Sequence, residues 1–140
     1  MKNLFIDTNI VIDLLSRREP FYFDAATLFS LADKKQIQLS ISSLTIANTS
    51  YILLHQMDTY KSKSILKKLK LLVRILPLDD KIVELALNDE TFSDFEDGLQ
   101  YFTAKENGQD FIITRNLKDF KNSLLPTMSA KQFVESYEKK

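Results

Sequence analysis

The chain has 140 residues, enough for one core and short for two, and its 44% apolar and 27% charged composition is that of a globular protein. Nineteen basic and nineteen acidic side chains cancel, which excludes the overall positive field of an obligate nucleic-acid coat. The lack of cysteine excludes disulfides, thiolate metal sites and cysteine nucleophiles, and the single histidine, His55, excludes a multi-histidine site, so oxygen must hold any metal.

Leu4-Phe5-Ile6 is a short apolar run stopped by Asp7-Thr8-Asn9, after which Ile10, Val11, Leu14 and Leu15 recur at helical spacing. A strand, a polar turn and a helix are predicted. The opening run is too short for a signal-peptide core, and no later run approaches the ~20 apolar residues of a membrane span, so a cytoplasmic location is expected. Beyond Pro20 a helix is predicted over 21–34, with Ala25, Leu28, Phe29 and Ala32 on one face. Phe21, Tyr22, Phe23 and Phe29 there read as core or a self-association surface.

A short strand at 39–41 precedes an N-cap at Ser42 or Ser43 and a helix over 44–55, whose terminal His55 suits a dipole or packing role. A helix over 59–72 and a strand over 74–78 follow. Asp79 caps a helix through 88, and a helix over 95–106 closes at Gly108. The remainder reads as a strand over 110–114, a turn around 116–120, a short strand at 127–128 and a helix over 130–137. Strands separated by helices cannot pair as hairpins, so a parallel sheet covered on both faces is expected. Its site should lie beyond the strands' carboxyl ends, where Asp7, Ser42-Ser43, Asp79 and Thr114-Arg115-Asn116 fall.

Asp7 can serve there as metal ligand, nucleophile or helix cap. In Ser93–Gln100, Phe95, Leu99 and Phe102 form a stripe expected to be buried, while Asp94 and Asp97 share another face. Glu96 lies about 100° from Asp97 on the helical wheel. Gly98 costs the helix roughly 1 kcal/mol, which predicts close approach of another backbone. Asn116 and Asp119 fall near the same sheet edge as Asp7. Lys61, Lys63, Lys67, Lys68, Lys70 and Arg74 give residues 59–74 a charge of +6, against −7 for residues 79–97. Phosphate would be drawn to the basic block, and Tyr51 and Tyr60 could stack on unpaired bases, although a solvated helix face explains the lysines as well.

Taken together, Phe5-Ile6-Asp7-Thr8-Asn9, Ser42 to Ala47, Asp94 to Gln100 and Ile112 to Phe120 resemble the PIN domain family, metal-dependent ribonucleases that include the toxins of VapBC-type toxin–antitoxin pairs. The resemblance implies one PIN-like domain over 1–140, a three-layer α/β/α sandwich around a mainly parallel five-stranded sheet. It implies an RNA substrate, Mg²⁺ or Mn²⁺ as cofactor, an antitoxin partner and a homodimer. Asp7 and Asp97 match the first and third family acids and are the expected catalytic ligands. Asp94, Glu96, Asn116 and Asp119 are expected to complete the metal site, either Asn116 or Asp119 standing at the fourth position. Thr8, Asn9, Ser43, Asn48 and Arg115 are expected to contact substrate. The second family acid, usually a glutamate, is matched by Asn48, which keeps a catalytically weakened RNA- or protein-binding module as the alternative. Asp7-Thr8-Asn9 also looks like a haloacid dehalogenase-type phosphatase motif, but Asn9 replaces its second aspartate.

Overall fold

The computed structural model describes residues 1–139. Its elements are β1 (Lys2–Ile6), α1 (Thr8–Leu15), α2 (Tyr22–Asp33), β2 (Ile37–Ser42), α3 (Ser43–Leu53), α4 (Thr59–Leu72), β3 (Val73–Leu76), α5 (Asp80–Asn88), α6 (Phe95–Glu106), β4 (Phe111–Ile113), a 3-10 turn (Leu117–Phe120), β5 (Thr127–Met128) and α7 (Ala130–Glu138). Side-chain caps set most helix starts. Asp7, Ser42, Asp58, Asp79, Asp94 and Ser129 each accept a first-turn N–H of the helix that follows. Ser42, not Ser43, is therefore the cap of α3. The predicted strand over 74–78 stops at Leu76, because Pro77 has no N–H to continue the ladder.

All five strands run parallel in the order β3-β2-β1-β4-β5. Alternation along β1 sends Leu4 and Ile6 to one face, where they meet Ile10 and Val11 of α1, Leu28 and Phe29 of α2, Leu69 of α4 and Phe133 of α7. Phe5 faces the other way and packs with Ile112, Tyr101 and Ala104. Behind α6, α5 is held by Ile82, Ala86 and Leu99. This is the three-layer α/β/α arrangement, and no helix among the described residues is long and apolar enough to cross a membrane. Successive connections wind from β1 toward β3 and then return to β4 and β5. The reversal between β1 and β4 opens a crevice at their carboxyl ends, beside Asp7.

Two expectations for α6 need correction. Leu99 is buried, but Phe95 is 45% exposed because it opens the helix, and Tyr101 and Ala104 take the positions against the sheet. At Gly98 an added Cβ would meet side-chain carbons of Ala86 and Phe92 at 3.7 Å, ordinary contact distance rather than close backbone approach. Gly98→Ala should therefore raise stability by about 0.5–1 kcal/mol through helix propensity, which urea denaturation can measure.

Candidate functional site

Asp7, Thr8, Asn9, Asn48, Asp94, Glu96, Asp97, Gln100 and Asn116 line a cleft of about 220 Å³ at the crevice. Four segments supply the lining: the β1–α1 junction, the middle of α3, the N-cap and first turns of α6, and the loop after β4. A larger cavity of about 490 Å³ lies beside Arg115, Phe21 and Lys131. Its acids are Asp13, already paired with Arg115, and Asp24, so the concentration of carboxylates is in the smaller cleft.

Asp7 is buried and heavily constrained. One carboxylate oxygen accepts the Thr8 N–H at 2.8 Å, and the other accepts the Thr114 hydroxyl at 2.8 Å and the Asn9 amide at 3.2 Å. Burial raises its pKa, Thr114 and Thr8 oppose that, and the charges of Glu96 and Asp119 add to it. Asp97 contrasts with it. No described residue donates a hydrogen bond to its carboxylate, and its pKa is pushed up to about 7 by burial first, then by the charges of Asp94, Asp7, Asp119 and Glu96. Asp94 is tied to its own helix, accepting the Asp97 N–H at 3.0 Å. The Asn48 amide donates to Glu96 at 2.9 Å, drawing that side chain toward α3 and into the cleft wall. The helical wheel thus separates Glu96 from Asp97, but the reach of a glutamate on the first turn brings both to one cleft.

Not every residue near the crevice projects into the cleft. Arg115 turns away from the acids: its guanidinium forms two hydrogen bonds with the buried Asp13, at 2.8 and 3.1 Å, and stacks 4.1 Å from the Phe21 ring centroid. Ser43 is exposed and does not line the cleft, since Ser42 takes the inward position at the end of β2. Asn9 holds Asp7 rather than projecting freely, and its carbonyl also accepts the Arg115 N–H at 3.3 Å. Asp119 lies outside the lining, yet its charge acts on both Asp7 and Asp97. His55 is exposed, with Nδ1 2.8 Å from the Tyr51 carbonyl, away from the cleft.

A buried hydroxyl and amide network beneath the cleft is not evident in the sequence. The Gln100 carbonyl accepts the Ser42 hydroxyl at 2.6 Å, and its amide donates to Thr45 at 2.9 Å and Thr8 at 3.3 Å. Thr8 and Thr45 hydroxyls lie 3.0 Å apart. This network joins α1, α3 and α6, the three helices that present the cleft. A polar Gln100 between the apolar Leu99 and Tyr101, one turn beyond Asp97, is the signal that could have revealed it.

Among the described residues no three acidic or imidazole side chains form a metal cage by themselves. The donors nevertheless fit a hard divalent cation of the Mg²⁺ type, which is commonly held by one or two carboxylates with water and substrate phosphate. Asp7 and the unpartnered Asp97 supply the carboxylates. The free amide oxygen of Asn48 and the side chain of Asn116 supply neutral donors in the same lining. A cation there must displace the proton that Asp97 retains below about pH 7. Mn²⁺ affinity should consequently rise about tenfold per pH unit up to about 7 and then level off, as measured by calorimetry across that range.

The model of the PIN domain family matches residues 3–118. The chain is 28% identical over 142 residues to Ribonuclease VapC1 of Aquifex aeolicus (strain VF5), covering 97% of this chain and 96% of that protein. In structure it is similar to a toxin–antitoxin complex from Klebsiella pneumoniae, with TM-score 0.69, 23% identity, and 91% and 97% of the two chains covered. It is also similar to VapBC2 from Rickettsia felis bound to a DNA fragment from the complex's promoter, with TM-score 0.68, 21% identity, and 91% and 98% covered. Matched over most of its length by the family model and folded as the resemblance implies, the chain belongs to the PIN domain family.

Proposed function

We propose that this chain is a divalent-metal-dependent endoribonuclease and the toxin of a toxin–antitoxin pair, with Asp7 and Asp97 as the principal ligands of Mg²⁺ or Mn²⁺. The observation that carries this reading is the pairing of two unlike aspartates in one cleft. Asp7 is locked by Thr8, Asn9 and Thr114, while Asp97 has no donor among the described residues and is crowded by like charge. That arrangement is electrostatically unfavourable in isolation and is relieved by a cation. Bound there, the ion would polarise a phosphodiester and lower the pKa of an attacking water.

The chain's own residues would do the positioning. Thr114 and Asn9 fix the Asp7 carboxylate, and Gln100 of α6 ties down the starts of α1 and α3. Glu96, Asp94 and Asn116 stand at the cleft wall, where they can orient water or complete the ligand set. An antitoxin partner belongs to the same proposal, supported by the toxin–antitoxin complexes among the structural relatives, and a homodimer is part of it as what the family resemblance implies. Cleavage of a single-stranded RNA by the wild type with added Mn²⁺, lost on chelation, tests the reading. No cleavage by the wild type, with RNA binding unchanged in Asp7→Asn, would sink it.

The second reading, a catalytically weakened binding module, rests on Asn48. Its amide engages Glu96 where the family usually has an acid. Asn48→Glu should strengthen Mn²⁺ binding by about tenfold while lowering metal-free stability, because a carboxylate then faces Glu96. Calorimetry and thermal melting in chelator read the two effects separately.

A further inference from the structure

The six cations of residues 59–74 do not share one surface. Lys68 borders a groove with α1 and α2, and Arg74 lies at the end of β3 nearest Met1. Lys63, Lys67 and Lys70 instead line a groove of about 240 Å³ between α3, α4 and β3, whose floor is Ile46, Leu66 and Ile75. Among the described residues none of these three lysines is in an ion pair. Like charges at three- and four-residue spacing weaken a helix. Local stability therefore gives no reason for this arrangement, whereas a polyanion would offset the repulsion.

We propose that this groove binds the single-stranded RNA flanking the cleavage site, lysines on phosphates and the apolar floor against bases. The inference rests on the ribonuclease reading and deepens it. Positions i, i+4 and i+7 recur about every 4.5–6 Å along the helix axis, and the long lysine side chains can spread their ammonium groups to the scale of successive phosphates on an extended strand. An apolar floor suits the faces of unpaired bases, which an acidic peptide does not offer. The groove also adjoins the acidic cleft through α3: Ile46 lines the former and Asn48, two residues on, lines the latter. A strand crossing α3 would meet lysines on one side and the aspartates on the other.

The test is fluorescence anisotropy of a labelled RNA of about 12 nucleotides in chelator, between about 0.05 and 0.2 M KCl, with the full chain. Lys63→Glu/Lys67→Glu/Lys70→Glu should bind at least about tenfold more weakly, with the logarithmic salt slope shallower by about 2. The corresponding triple glutamine variant should move the same way by less, and keeps the test decisive if charge reversal prevents folding. Mn²⁺ affinity should be unchanged in the glutamine variant. Wild-type affinity and slope in that variant would overturn the proposal, as would tighter binding of polyglutamate than of RNA at equal charge. Because no cleavage is needed, weakened RNA binding by the variants would uphold the groove even if the wild type proved inactive with Mn²⁺. Unchanged binding alongside intact cleavage would remove the groove alone.

Discussion

Asp97→Asn should reduce Mn²⁺-dependent RNA cleavage by at least about 100-fold while making the metal-free protein more stable at alkaline pH. Groups that merely orient metal ligands change affinity or activity by about 10- to 100-fold, so loss of a ligand should cost at least the upper figure. The stability gain follows from the same electrostatics. The Asp97 carboxyl has its pKa raised from an ordinary 3.8 to about 7, so the folded state holds a proton that the unfolded chain releases. Stability is therefore lost as pH climbs from about 4 to about 7, and the whole penalty is present at about pH 8. Asp97 is only partly buried, and after solvent screening the penalty is about 1 kcal/mol. In chelator, the asparagine variant should melt about 3 °C above wild type at about pH 8 and level with it at about pH 4. Saturating Mn²⁺ should reverse the order, since only the wild type gains binding energy.

The second large effect concerns Arg115. Arg115→Ala should destabilise the fold by about 3 kcal/mol, lowering the melting temperature by about 10 °C, and leave RNA affinity of the folded protein nearly unchanged. Asp13 is buried with its side chain 1% exposed, and removing its bidentate partner strands a charge on the buried face of α1. The stack on Phe21 is lost as well. A phosphate-contacting arginine would behave in the opposite way, weakening RNA binding with little change in melting. Replacing both members of the pair with leucine should recover much of the stability, because the desolvated charge is then gone.

Arg115 also marks the limit of what the sequence discloses. Its place after a buried strand is legible, and so are the strands, the helices and the parallel sheet, because each depends on local periodicity and caps. Its partner Asp13 is 102 positions away, and nothing local tells a loop arginine which way to turn. Ser42 and Ser43 differ for a similar reason: the strand's alternation settles which one enters the core, and that depends on where β2 ends. Asp7 and Asp97 are legible as acids flanked by apolar runs. Their difference in environment is not, because it comes from Thr114 and Asn9 at one and unscreened like charges at the other. The opposed blocks of charge are likewise visible in the sequence, but only the fold shows that three lysines of one block, and Asp94, Glu96 and Asp97 of the other together with Asp7, line surfaces on either side of α3.

Calorimetric titration of Mn²⁺ into wild type, Asp7→Asn and Asp97→Asn at about pH 8, above the pKa of about 7 at Asp97, probes the pairing of these two residues directly. Saturable binding in the wild type, weakened at least about 100-fold in each variant with unchanged circular dichroism, is the predicted result. Equal Mn²⁺ affinity in all three proteins would contradict a metal site built on Asp7 and Asp97.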